Sequence, residues 1–287
     1  MYTAIEQITD PNGLAAAAAC EVLEVSRSAY YAWRQGASSP RSLRDAELAP
    51  TVRAVFWQHR RRYGARRIAN ELADRGHTCS PRRVAKLLKN QGLRAIQPKS
   101  FVPKTTDSRH ALGYSPNLLL ETPEPTRLNQ LWVGDITYVP LAKGAFCYLA
   151  MLMDRFSRAV VGWHVDETMT DALTLAALRG AIRARQAKVD LIHHTDRGGQ
   201  YASKRYRGVL RRAGFRQSMS RADNCYDNAF MESCFGTIKT ELEMTEYQDC
   251  HAARREIAEY VQYYLHDRKH SALGYLTPAL FERSHRT

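Results

Sequence analysis

From residue 131 onward the chain alternates and clusters apolar positions in a way that separates strands from helices. LWVGDITYVP, FCYLAMLMD and the run around AVVGWHV are apolar and β-branched, which predicts strands at 131–140, 145–153 and 157–166. Helical spacing takes over at 170–186, an apolar strand follows at 189–194, then a helix at 201–213, a short strand at 215–219, and helices at 224–243 and 247–265. Three consecutive strands followed by alternating helices and strands predict a mixed sheet with helices on both faces. The tail LGYLTPALF is apolar enough to pack back on that core.

The front of the chain reads as all helix. Ala15–Leu23 forms one candidate helix, and Ser26 can cap a second at Arg27–Arg34 that carries Tyr30, Tyr31 and Trp33, read as packing residues. GARRIANELADRG predicts a helix stopped by Gly76, and Ser80 followed by Pro81 caps PRRVAKLLKNQGL, stopped by Gly92. These pairs predict a helix-turn-helix-like segment at 1–40 and a second such domain at 41–95. Residues 96–129 gather Pro98, Pro103, Pro116, Pro123 and Pro125 with little periodicity and read as a basic linker, with Lys99, Lys104 and Arg109 able to track a phosphate backbone. The α/β core then spans 130–245 and a helical tail 246–287.

Charge narrows the partner. The chain has 42 Lys and Arg against 29 Asp and Glu, net +13, which calls for a polyanion or a membrane surface. No stretch approaches a membrane span, and the small-residue run Leu14–Ala19 lacks a signal peptide's order, so nucleic acid is the expected partner and the cytoplasm, in association with the nucleoid, the expected place. Residues 1–110 carry 19 basic against 9 acidic side chains, an excess of 10. Arg66, Arg67, Arg82, Arg83 and Lys86 lie on the outer faces of the second helical pair, where phosphate contact is expected. The six cysteines show neither C-x-x-C nor zinc spacing and read as reduced thiols.

Three carboxylates carry candidate chemistry. Asp135 sits inside the first strand, Asp196 closes VDLIHHTDRGGQY at a Gly-Gly turn, and Glu232 sits on the helical ADNCYDNAFMESCFGTIKTELE. Burying such a charge is costly unless a partner or cation offsets it, and hard oxygen donors suit Mg²⁺ or Mn²⁺. The same acids also fit plain turn duty, the default for Asp154 and Asp166 at strand ends. His193 and His194 read as hydrogen-bonded core histidines rather than zinc ligands. On the Glu232 helix, Met231, Phe235, Ile238 and Leu242 make the apolar stripe; Asn228, Glu232, Gly236 and Lys239 make a polar one, in which Gly236 leaves room for a close approach by DNA.

Five segments taken in order, WVGDITYVP, MDRFSRAVVGWHV, HHTDRGGQYAS, DNCYDNAFMESCFGTIKTE and YYLHDRKHSALGYLTPALFE, resemble the second-frame protein, OrfB, of insertion-sequence-three family transposases, the D-D-E recombinases related to retroviral integrases. Between Asp196 and Glu232 lie 35 residues, and Lys239 follows Glu232 by seven, as in that group. The resemblance implies a ribonuclease-H-like fold with its two aspartates on the first and fourth strands. It implies that Asp135, Asp196 and Glu232 hold two Mg²⁺ or Mn²⁺ ions, that Lys239 and Asn228 meet DNA near the scissile position, and that Arg197 and Tyr201 are neighbours there. The implied activity cleaves and joins phosphodiesters at the element's ends, passes through a circle, and inserts into target DNA. Implied partners are double-stranded DNA, both terminal inverted repeats and target, further copies of the chain in a homo-oligomer, and an OrfA protein from an upstream frame. No sustained heptads stand before the first helical pair, so a product dependent on OrfA and a member acting without it both fit. A DNA-binding regulator on a non-catalytic core would make the triad accidental, and a ribonuclease-H-type nuclease would leave the front helices unexplained.

Overall fold

A computed structural model describes residues 1–12, 16–36, 40–97, 113–187, 189–221, 229–243 and 246–285. The chain divides into two compact units, Met1–Ala95 and Ile96–Thr287.

The first unit is helical: α1 (Tyr2–Asn12), α2 (Ala16–Val22), α3 (Arg27–Arg34), α4 (Pro40–Gln58), α5 (Ala65–Asp74) and α6 (Pro81–Asn90). α1 precedes the first predicted pair, and α4 is a long helix that the sequence reading did not anticipate. Two of the starts follow from caps: Ser26 accepts from the Ala29 N–H, and Ser80 from the Arg83 N–H with Pro81 in the first turn. Ile5, Cys20 and Tyr30 form a small core between α1, α2 and α3. Val52 and Phe56 of α4, Ile68 and Leu72 of α5, and Val84 and Leu87 of α6 form a second. α4 thus closes the helix-turn-helix pair into a three-helix unit. Pro50 lies within α4, where its missing N–H costs one helical bond, and Gln91 Nε2 donates to the Ala49 carbonyl beside it at 3.2 Å.

The second unit is built on a five-stranded mixed sheet in the order β3-β2-β1-β4-β5. β1 (Leu131–Pro140), β2 (Phe146–Asp154) and β3 (Val160–Asp166) run antiparallel, while β4 (Ile192–Thr195) pairs parallel to β1 and β5 (Arg216–Met219) parallel to β4. Side chains alternate across the sheet. Leu131, Val133, Met151 and Ile192 face α10 (Ala229–Glu241) and α11 (Cys250–His266); Trp132, Ala150 and Leu152 face α7 (Asp171–Arg185), α8 (Gly199–Ala202) and α9 (Lys204–Ala213). Gly162 on β3 allows α7 to approach closely: a Cβ there would collide with the Ala177 carbonyl and sit 2.8 Å from the Ala181 Cβ.

Part of the predicted linker is packed. The Pro116 carbonyl accepts from the Met219 N–H of β5, and the Leu118 N–H donates to Ser218 Oγ at 2.9 Å. Leu118 and Leu119 then lie against the α10 side of the core. At the chain's other end α12 (Pro278–Ser284) docks through Glu282, which takes both Arg185 guanidinium nitrogens, at 2.6 and 2.5 Å, and the Ser157 hydroxyl at 2.7 Å.

Candidate active site

Parallel pairing of β1 with β4 matches Leu131 with Ile192, Trp132 with His193, and Val133 with His194. Carried two residues further, this register brings Asp135 level with Asp196 on neighbouring chains roughly 4.8 Å apart. Alternation puts both on the same side as Val133 and His194, the side covered by α10. Both are half-buried. Asp135 Oδ1 accepts from the Ile136 N–H at 2.8 Å, and Asp196 Oδ1 from the Gly198 N–H at 3.0 Å. Gly198 is the residue that permits this turn, since a Cβ there would crowd Asp196 Oδ1 at 3.1 Å and Gln200 Oε1 at 2.9 Å.

A buried polar floor supports the pair. His193 Nε2 meets the Tyr206 hydroxyl at 2.7 Å, and His194 spans Ser218 at 2.8 Å and Ser220 at 3.2 Å. Burial pulls the His193 imidazole down to about 3, so it is neutral. Both histidines are core residues, in keeping with their reading from sequence. Gly134 lets the His193 ring lie under β1, because a Cβ there would stand 3.0 Å from its Cε1. Asp154 and Asp166 do cap turns: Asp154 Oδ1 accepts from the Phe156 and Ser157 N–H groups, and Asp166 Oδ1 from that of Thr168.

Tyr201, expected as a neighbour on the DNA surface, is 2% exposed and lies with its ring edge-on to Tyr206. Burial, followed by the charge of Asp135 and then that of Asp196, holds its phenol well above the ordinary tyrosine range. It is therefore a protonated side chain beside both carboxylates, out of reach of DNA. Arg197 is also engaged by the protein: its Nε donates to the Ser220 carbonyl at 2.7 Å and its guanidinium stacks on Tyr114 at 4.6 Å.

Glu232 arrives on α10, whose Met231, Cys234, Phe235 and Ile238 are buried against the sheet. At 100° per residue Glu232 and Lys239 share one flank of this helix, two turns apart. Glu232 is exposed; Lys239 is half-buried, with its pKa lowered by burial against the opposing attraction of Asp135. Among the described residues no three His, Cys, Asp or Glu side chains gather closely enough to hold one ion. The axial position of α10 sets Lys239, rather than Glu232, beside Asp135. Converging carboxylates repel one another, whereas an ammonium is attracted. Gly236, between them, opens onto free space. Asn228 and most of DNCYDN, including Cys225, lie outside the described residues.

In the first unit Arg66, Arg82 and Lys86 are exposed and Arg67 leans over Tyr63 at 5.5 Å. Arg83 is held by Asp45 at 2.5 Å. Arg41, Ser80, Arg82, Arg83 and Lys86 line a cleft at the start of α6. Arg41 escapes a sequence reading because the helix that carries it, α4, does too.

No helix among the described residues is long and apolar enough to cross a membrane. An integrase core domain family matches residues 125–225, a second integrase core domain family matches 213–278, and an HTH-like domain family matches 42–101. The 31 kDa protein of insertion element IS600 from Shigella sonnei is 41% identical over 93% of this chain and 98% of its own. Transposase InsF for insertion sequence IS3A from Escherichia coli K12 is 38% identical over 92% of this chain and 93% of its own. The HTLV-2 integrase catalytic core solved with magnesium covers 54% of this chain and 97% of its own at 18% identity and TM-score 0.43, a likeness too distant to add to those two.

Proposed function

Because the chain belongs to the family of insertion-sequence transposases represented by InsF of IS3, we propose that it is a D-D-E recombinase, a polynucleotidyl transferase that cleaves and rejoins the ends of its own element and inserts them into target DNA. The observation that carries this reading is the register that levels Asp135 with Asp196 on the face covered by the Glu232 helix.

Asp135, Asp196 and Glu232 are the residues that would hold Mg²⁺ or Mn²⁺, and their oxygen donors suit a hard cation. Bound there, two such ions activate an attacking oxygen and stabilise a leaving one across a phosphodiester. Tyr201 keeps a protonated hydroxyl beneath the two aspartates and so fixes their orientation without competing for charge. Attack by water breaks one P–O bond and leaves a 3′-OH; attack by that hydroxyl on a second phosphodiester forms one P–O bond for each it breaks. Lys239, Asn228 and Arg197 are the residues assigned to DNA near this centre, and Arg41, Arg66, Arg67, Arg82, Arg83 and Lys86 those assigned to phosphates along the duplex. Bringing two ends to one reaction requires a further copy of the chain, and an OrfA protein is the second partner.

The test is cleavage of duplexes carrying the element's own ends with Mg²⁺. The wild-type chain nicks at the end and transfers the strand, and Glu232→Gln binds the duplex without cutting it. Full cleavage by Glu232→Gln contradicts the assignment. Cutting without regard to the end would make the chain a plain nuclease, and binding alone a regulator.

A further inference from the structure

The exposed flank of α10 carries Glu232, and the opposite flank carries a buried charge that this chemistry does not use. Glu241 lies nine residues on, half a rotation around the helix and roughly 13.5 Å along it. Its carboxylate is 7% exposed and takes three bonds from Arg268: Nε to Oε1 at 3.0 Å, Nε to Oε2 at 2.8 Å, and Nη2 to Oε1 at 2.7 Å. The Tyr260 hydroxyl of α11 donates to Oε2 at 3.0 Å. Arg268 is 4% exposed, turns its Nη1 to the His270 ring at 3.1 Å and lies over Tyr264. The whole cluster is tied to the body of the unit through α11.

A buried ion pair is poor evidence for stability, because the cost of desolvating two charges offsets most of their attraction. What such a pair does supply is geometry, since a planar guanidinium and a carboxylate meet in one arrangement only. α10 needs that. Its apolar stripe would tolerate sliding along the sheet, and between Phe235 and Ile238 it offers only Gly236 and Thr237. A shift along the helix axis carries Glu232 toward or away from Asp135 and Asp196. The geometry points to Arg268 as a positioning residue: through Glu241 it sets the axial register of α10 and so the reach of Glu232 toward the two aspartates. The inference rests on the reading of Glu232 as a ligand.

The full-length chain is titrated with Mn²⁺ alone and free ion followed by electron paramagnetic resonance, with thermal unfolding measured alongside. Glu232→Gln and Arg268→Lys each weaken Mn²⁺ binding by about tenfold or more. The double variant is no weaker than Glu232→Gln alone, because Arg268 acts only through Glu232. A general structural role would instead give additive losses, and that result overturns the proposal, as does a folded Arg268→Lys that binds like wild type. If Arg268→Lys does not fold, Tyr260→Phe replaces it, with a loss of about threefold expected and an unchanged affinity overturning the claim. Wild-type affinity in Glu232→Gln identifies a different failure, that of the ligand assignment, and the proposal falls with it.

Discussion

Asp135 and Asp196 stand on neighbouring strands tied by main-chain hydrogen bonds, whereas Glu232 stands on a helix held to the sheet by side chains. The first pair cannot move apart without breaking a ladder whose other members include Trp132 and His193, both fully buried. The third acid can travel with its helix at the cost of repacking one apolar stripe and breaking one ion pair. A site divided in this way has a rigid half that defines the centre and an adjustable half that completes it. The ammonium of Lys239 beside Asp135 is consistent with that division.

The comparison breaks most visibly at the rigid half. Asp196→Asn should reduce end cleavage on the order of 10³-fold or more while duplex binding in a filter or anisotropy assay stays at the wild-type level; a variant keeping a tenth of the rate would place the centre elsewhere. Next in size is the support behind the sheet. Glu282→Ala leaves the buried Arg185 guanidinium unpaired between α7 and α12, and chemical denaturation should show a loss of about 3–5 kcal/mol.

Acid acts on the floor of the rigid half. Folded His193 titrates at about 3 instead of 6.5, so above pH 6.5 neither state is protonated and the histidine is neutral to stability. As pH falls from 6.5 toward 3 the unfolded chain binds a proton that the folded one refuses, and stability drops by up to about 1.4 kcal/mol per pH unit. Urea unfolding from pH 7 to 4 should show this slope reduced in His193→Gln; an identical slope would mean that His193 is not buried as described. The smallest effect belongs to the adjustable half. Phe230, in the first turn of α10, is flanked by Arg155 at 4.8 Å and Arg158 at 5.1 Å. Phe230→Leu keeps bulk but loses these contacts, so it should cost about 0.5–1 kcal/mol and speed amide exchange in that turn ahead of β1, where equal acceleration in both would blur the distinction.

The rigid half was also the legible half. Residues 131–166 declare strands because β-branched and aromatic side chains alternate there, and a strand's period of two fixes which residues share a face. The site acids of β1 and β4 follow from that pattern together with the Gly-Gly turn. Helical periodicity gives α10 its buried face but carries no information about axial position, so the placement of Lys239 beside Asp135 lay beyond sequence reasoning. α4 was hidden differently. Leu48, Val52, Val55 and Phe56 keep helical spacing, yet Pro50 among them reads as a stop. The packed part of the linker went unseen because its partners, Ser218 and Met219, are about a hundred residues away. Tyr201 follows a glycine turn, which suggests exposure, and only the approach of α9 buries it.

The most direct test is a structure of the chain on duplexes carrying its element ends with Mn²⁺, with the ions located by anomalous scattering. The account predicts Mn²⁺ between Asp135 and Asp196 with a Glu232 oxygen among its ligands, α10 having shifted along the sheet to bring it there. Ions bound without Glu232, or bound away from the two aspartates, would contradict it.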